Sequence, residues 1–162
     1  MKKEVCIFWF RRDLRLEDNA GLYNALKNEK NVLPLFIFDS EILKKLENKA
    51  DRRVDFIHQA LEKIQLQLLE LGSSLLIING KPLEIYNELL KKYSIISVYT
   101  NHDYEPYANN RDTEIKSLFS ENKIEFKTFK DQVIFEKKEV TKDDGLPYTV
   151  FTPYMRKWKS KL

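Results

Sequence analysis

The sequence predicts a Rossmann-like α/β fold, in which a doubly wound sheet of five parallel strands, in the order 3-2-1-4-5, carries helices on both faces. The first observation is a series of short, nearly continuous apolar runs, which are typical of strands buried on both faces. These runs are Val5–Phe10, Val32–Phe38, Leu75–Ile78, Ile96–Tyr99 and Ile124–Phe129. The second observation is that segments with helical spacing separate the runs. Alternating strands and helices with short links give right-handed crossovers and a parallel sheet.

The helices are predicted from apolar residues that recur every three or four positions. The strongest pattern lies between the second and third strands and stops at Gly72, a residue typical of helix ends. Its apolar face is Val54, Ile57, Leu61, Ile64, Leu68 and Leu71. Pro82 suits the first position of the next helix, where the spacing is repeated by Leu83, Tyr86, Leu90 and Tyr93. Further helices are expected at Asn19–Leu26 and from about Tyr107 to Glu121, the latter with Ile115, Leu118 and Phe119 facing inward.

Length and composition indicate one α/β domain at residues 1–130 and an irregular extension at residues 131–162 that ends in a short helix near Pro153–Leu162. The net charge of +3 is mild, and most of it lies in the extension. A basic end can meet nucleic acid, but a solvated surface accounts for such a run more often. The only cysteine, Cys6, lies in an apolar run and is expected to be buried. No signal peptide or membrane-length apolar run is present, which favours a cytoplasmic protein without a membrane partner.

Ligands of open parallel sheets bind beyond the carboxyl ends of the strands, where the strand order reverses. That rule brings "FWFRRDLRLEDN", at the end of the first strand, close to "TNHDYEP", at the end of the fourth. With four glycines the chain contains neither a G-x-G-x-x-G turn nor a phosphate-binding P-loop. His58 and His102 are not in metal-ligand spacing, and no nucleophile–base pair stands out, so neither a metal site nor a catalytic residue is predicted. The residues alone indicate a ligand-binding α/β domain.

The opening motif, "FWFRRDLRLEDNAGL", resembles the start of the DNA photolyase and cryptochrome family. Further stretches line up in the same order: "LPLFIFD", "RRVDFIHQALEKIQLQLLELGSSLLIINGKP", "YTNHDYEPYANNRD" and "YTVFTPYMRKW". The resemblance covers essentially the whole chain. It implies an N-terminal antenna domain whose last residues begin the linker to a larger helical domain.

The function implied by the resemblance is light harvesting for a deoxyribodipyrimidine photolyase, a carbon–carbon lyase that uses blue light and FAD to repair pyrimidine dimers. The helical domain, absent from this chain, would hold FAD and the damaged DNA, so the chain alone is not expected to be active. A cryptochrome photoreceptor domain is one alternative. A free-standing nucleotide-binding domain of the universal-stress type is another.

The resemblance also assigns an antenna site. Its residues would contact the pigment, line an apolar wall or offer carboxylates to it: Arg12, Phe36, Phe38, Asp39, Arg53, Asp103 and Glu105. Plain core packing is the alternative for the two phenylalanines and is at least as well supported for one of them, because strand side chains alternate faces. Ile42 and Leu43 could add apolar contact or belong to the core. Structural ion pairs are expected for Arg11, Asp13 and Arg15.

The prediction of the pigment's identity rests on two positions after the "YE" dipeptide. Family members that bind folate carry an asparagine–glutamate pair there, whereas this chain has Tyr107 and Ala108. The resemblance therefore favours a deazaflavin or flavin mononucleotide over folate as the antenna pigment, and an empty pocket is the remaining alternative.

Overall fold

The computed structural model describes residues 2–48 and 50–162 and divides the chain into two units, Met1–Asp131 and Gln132–Leu162. The first unit contains a five-stranded sheet in the order β3-β2-β1-β4-β5, with every neighbouring pair parallel. The strands are β1 (Lys3–Phe10), β2 (Val32–Asp39), β3 (Leu76–Gly80), β4 (Tyr93–Asn101) and β5 (Glu125–Phe129). The helices are α1 (Ala20–Asn28), α2 (Ser40–Leu43), α3 (Arg52–Glu70), α4 (Pro82–Lys92), α5 (Pro106–Glu121) and, in the second unit, α6 (Phe151–Lys161). The predicted fold class and strand order are confirmed.

The central strand β1 is buried on both faces, as its continuous apolar run predicts. Ile7 and its alternate neighbours pack on one face against α4 and α5, including Phe119. Phe8 and its alternate neighbours pack on the other face against α1 and α3, including Leu61. The period of two along the strand thus separates two apolar cores, one on each side of the sheet.

The structure corrects two local predictions and adds one element. Helix α4 ends at Lys92, so Tyr93 begins β4 instead of extending the helix. Helix α3 ends one residue before Leu71, whose side chain points away from the core and is 75% exposed. The short helix α2 was not predicted; Asp39 caps it by accepting a hydrogen bond from the Glu41 N–H. Its four residues are too few to show a helical period.

A buried polar network holds the loop that follows β1. The Asn101 side chain at the end of β4 accepts a hydrogen bond from the Gly21 N–H at 2.8 Å and donates to Asn19 and Asp13. Asn19 caps α1 by accepting from the Leu22 N–H, and Asp13 accepts from the Asn19 side chain. All three polar residues are buried, so the ends of β1 and β4 and the start of α1 are fixed together.

The second unit is mostly irregular before α6. Within it, Lys157 pairs with Asp143 at 3.0 Å, and the rings of Phe135 and Trp158 meet edge to face at 5.6 Å. Lys159 and Lys161 lie in the last turn of α6, where positive charge is favourable for the helix dipole. Among the described residues, no helix combines the length and the apolar character needed to cross a membrane.

We expect Gly21→Ala to destabilise the protein although it adds a better helix former. An alanine would gain ~1 kcal/mol of helix propensity. Its methyl group, however, would lie 2.7 Å from the Asn101 Oδ1 and 2.9 Å from the Phe8 ring. Because both neighbours are buried, we expect overpacking to dominate and lower the free energy of unfolding by about 1–2 kcal/mol. Denaturant unfolding measures the change; Lys27→Ala on the exposed side of α1 is the control, and equal stability of the two variants would contradict this interpretation.

Cys6 provides a pH-dependent test of the core. Burial raises the pKa of its thiol from 9.0 to about 11. The unfolded chain releases this proton at lower pH than the native protein, so the stabilising effect is complete below about pH 8 and decreases as the pH rises through 9 towards 11. We expect the wild type to lose about 1 kcal/mol more than Cys6→Ala between pH 8 and pH 10. Parallel urea unfolding of both proteins checks this, and identical pH profiles would show that Cys6 ionises normally.

Candidate functional site

A cavity of about 550 Å³ lies at the carboxyl ends of β1 and β2, beside the reversal of strand order between β1 and β4. Its lining comes from these strand ends, α2, the start of α3, the loop after β4 and the helix α5. All seven residues predicted from the sequence line this cavity: Arg12, Phe36, Phe38, Asp39, Arg53, Asp103 and Glu105. The structure therefore brings together residues that are up to 93 positions apart in the chain.

One wall of the cavity is apolar. The rings of Phe36 and Phe38 meet edge to face with centroids 5.0 Å apart. The two side chains share one face of the sheet because they are two residues apart, so the alternation of strand side chains does not separate them as the sequence analysis supposed. Phe36 is buried and Phe38 is half-buried. Phe36 thus contributes to the core and to the cavity at once, and Ile42 and Leu43 extend the lining.

Arg12 lies at the rim and joins the two loops that the sequence analysis placed side by side. Its guanidinium pairs with Glu105 at 2.8 Å and with Asp103 at 3.4 Å, while its side chain remains 53% exposed. Burial works against the charge of Arg12, but the hydrogen bond to Glu105 and the charge of Asp103 outweigh it and raise its pKa. Arg12, Asp103 and Glu105 were all predicted to contact the pigment, and here they are paired with one another.

Arg53 enters the cavity from the first turn of α3. Its side chain bonds to Asp51, the N-cap of that helix, through Nε at 2.9 Å and Nη2 at 2.6 Å. Hydrogen bonds from the side chain and backbone of Arg53 lower the pKa of Asp51 to about 2. A guanidinium has five N–H donors, so Arg12 and Arg53 each keep N–H groups that can donate to a further acceptor.

Asp39, at the end of β2, accepts hydrogen bonds from two helices. One carboxylate oxygen accepts from the Glu41 N–H at 3.0 Å, and the other accepts from the Tyr107 hydroxyl at 2.7 Å. Burial, together with this hydrogen bond to Asp39, raises the pKa of Tyr107, so Tyr107 stays a donor. Asp39 thus ties β2 to α2 and α5 from the floor of the cavity.

The ion pair predicted for Arg11 belongs to a group of charges below the cavity, in which Arg111 and Asp112 were not predicted. Arg11 and Arg111 lie over the ring of Trp9 at 5.1 and 4.8 Å, and both bond to Asp112 at 2.6 and 2.9 Å. Trp9 and Arg111 also line the cavity. The spacing of Tyr107 and Arg111, four residues apart on α5, places them on one helix face and was the available signal.

Neither histidine lines the cavity. His58 is exposed on α3 and approaches Glu62 at 3.4 Å, and His102 lies 3.0 Å from the Thr128 hydroxyl. Within residues 2–48 and 50–162, no group of three or more potential ligands is arranged to hold a metal ion.

Comparison with known proteins identifies the family. The family model "DNA photolyase" matches residues 6–162. The deoxyribodipyrimidine photo-lyase of Synechococcus sp. is 31% identical over 155 residues, which cover 96% of this chain and 32% of that protein. Cryptochrome-1 of Gallus gallus is 34% identical over 119 residues, which cover 74% of this chain and 19% of that protein. This chain therefore spans about a third or less of the length of these two relatives.

Comparison with solved structures indicates the same family. The archaeal photolyase from Sulfolobus tokodaii, solved with two FAD molecules and described as implying a novel light-harvesting cofactor, is 34% identical with a TM-score of 0.71. The match covers 83% of this chain and 32% of that one. The class III photolyase from Agrobacterium tumefaciens is 25% identical with a TM-score of 0.85, over 98% of this chain and 32% of that one. The chain belongs to the DNA photolyase family.

Proposed function

We propose that this chain is the light-harvesting domain of a deoxyribodipyrimidine photolyase and that its cavity binds the antenna pigment. The observation that carries the proposal is one cavity beside the sheet's switch point, which all seven predicted residues line. In the parent protein, the part outside this chain would hold FAD and meet the damaged DNA. Repair of pyrimidine dimers would be the activity of that whole protein, and this chain would supply absorbed energy to it.

The residues present fit a flavin-type chromophore. The cavity volume of about 550 Å³ lies within the range of small-molecule sites. Half-buried Phe38 offers a ring face or edge to a flat aromatic system, and stacked or edge contacts of this kind are favourable. Arg12 and Arg53 offer N–H donors to ring carbonyl oxygens, while Asp103 and Glu105 offer acceptors to hydroxyl groups. A pigment bound here would contribute light absorption; the protein groups bind it and orient it.

A flavin or deazaflavin is proposed over folate because of α5. Ala108 is buried, and Tyr107 directs its hydroxyl to Asp39. No carboxylate stands at either position to bind a pterin. The Sulfolobus tokodaii photolyase, with its second FAD, supports a flavin as light harvester in a relative.

The cryptochrome function is the second candidate, and the 34% identity to Cryptochrome-1 of Gallus gallus favours it. The match covers 74% of this chain, against 96% for the Synechococcus photolyase, so photolyase is the better-supported parent. The family match over residues 6–162 leaves the universal-stress alternative without support.

We expect the chain to bind riboflavin and Phe38→Ala to weaken binding about tenfold, because the variant removes an aromatic contact with the ring. Fluorescence polarisation of riboflavin gives both dissociation constants. The matched control is Phe56→Ala, which removes an exposed phenylalanine outside this cavity and should bind like the wild type. If both substitutions weaken riboflavin binding equally, or if neither weakens it, the pigment binds elsewhere.

We expect the full-length protein, with its FAD reduced, to repair pyrimidine dimers in an oligonucleotide under blue light. The 162-residue chain alone should not. In an action spectrum, Phe38→Ala should reduce repair excited in the pigment's absorption band and leave repair excited through FAD unchanged. If the pigment absorbs light but no pyrimidine dimers are repaired, the cryptochrome function is favoured instead.

A further inference from the structure

Two polar atoms inside the first unit have no hydrogen-bond partner among the described residues, the Nε of Arg11 and the hydroxyl oxygen of Tyr86. The Arg11 side chain is only 5% exposed, and Tyr86 has no exposed surface. Buried polar groups nearly always have a partner, because an unpaired group loses its bonds to water without replacement. Two such atoms in one core therefore indicate a partner that is not itself part of the chain.

Both atoms belong to side chains that contact Trp9. The Tyr86 ring, on α4, meets the Trp9 ring edge to face with centroids 5.5 Å apart. The Arg11 guanidinium carbon, just after β1, lies 5.1 Å from the centre of the same ring. Burial raises the pKa of Tyr86, and among the charged groups that act on this hydroxyl Arg11 has the largest effect, which is to lower it. The two atoms therefore lie in one buried region beside Trp9.

The guanidinium of Arg11 is held in place while its Nε–H remains unpaired. Its Nη1 donates to Asp112 at 2.6 Å, and its Nη2 donates to the Asn101 carbonyl oxygen. An arginine Nε–H can only donate, and a tyrosine hydroxyl can donate as well as accept. The partner that suits both atoms is therefore a small group that accepts hydrogen bonds.

The charges in this region are balanced, which favours an uncharged partner. Arg11 and Arg111 both pair with Asp112, at 2.6 and 2.9 Å, and Arg111 also approaches Asp39 at 3.9 Å. Two guanidinium groups thus face two carboxylates, so an anion such as chloride would add a buried charge without compensation. Water is the uncharged alternative, since a buried water molecule typically makes about three hydrogen bonds to groups that would otherwise be unpaired.

From these observations we propose that one internal water molecule binds beside Trp9 and bridges the Nε–H of Arg11 to the hydroxyl of Tyr86. Arg11 also pairs with Asp112 on α5, so this water joins α4 to the connection that already links the end of β1 with α5. Tyr86 does not line the pigment cavity. The inference is therefore independent of the proposed function and holds whether or not a pigment binds.

The first test is Tyr86→Phe, which removes the hydroxyl and keeps the ring. An oxygen without any partner would be better removed, and the variant would then be at least as stable as the wild type. With the water bound, the variant loses a hydrogen bond, and we expect its equilibrium constant for unfolding to rise about fivefold. Urea unfolding of the 162-residue chain measures this change. The matched control is Tyr23→Phe, which removes an exposed hydroxyl and should change the constant by about twofold at most.

A high-resolution crystal structure of the wild-type chain locates the partner directly and does not depend on the variant folding. We expect one ordered water about 2.7–3.2 Å from both the Arg11 Nε and the Tyr86 hydroxyl oxygen. A chloride ion at this position would be recognised after exchange for bromide, by anomalous scattering. Such an ion, a direct hydrogen bond between the two side chains, or a gap without ordered density would each overturn the inference, as would a Tyr86→Phe variant no less stable than the wild type.

Discussion

The rest of this domain depends on the buried hydrogen bonds of Asn101. Its amide oxygen accepts from Gly21, and its amide nitrogen donates to Asp13 and Asn19. An amide has two donors and can accept at its oxygen, so these three partners satisfy it at a site that water does not reach. Breaking any one of them would leave a polar atom unpaired inside the protein, which is costly. The network therefore fixes the conformation of the loop after β1 against the end of β4.

That fixed loop sends two neighbouring arginines in opposite directions. Arg11 turns into the protein, where it donates to the Asn101 carbonyl oxygen and to Asp112. Arg12 turns outward to the rim of the cavity and meets Glu105. Consecutive residues at the end of a strand point to opposite sides, so one strand end supplies both the floor and the rim. The same short motif thus holds the loop and lines the cavity, which explains why so much charge follows a buried strand.

The fold was largely predictable because its signals are local. Apolar runs and helical spacing mark nearly every element, whereas α2 is too short for a period and Tyr93 fits both a helix and a strand. The position of the cavity was predictable from the strand-end rule, and the resemblance to the family gave seven of the residues that line it. Their pairing was not, because a sequence does not show which carboxylate reaches which guanidinium. The contact of Arg111 with Trp9 joins residues about a hundred positions apart and depends on how α5 packs on the sheet.

The charges below the cavity connect the central strand of the sheet to α5. An isolated buried ion pair gains little over a well-packed apolar group, because removing charges from water is expensive. Arg11 and Arg111, however, share Asp112 and flank one tryptophan ring, so they join β1 to α5 through several directional contacts. Tyr107, also on α5, extends this connection to Asp39 on β2. In the proposed function, energy transfer from a pigment depends on its orientation, and a floor built from such contacts would hold the walls in place before the pigment binds.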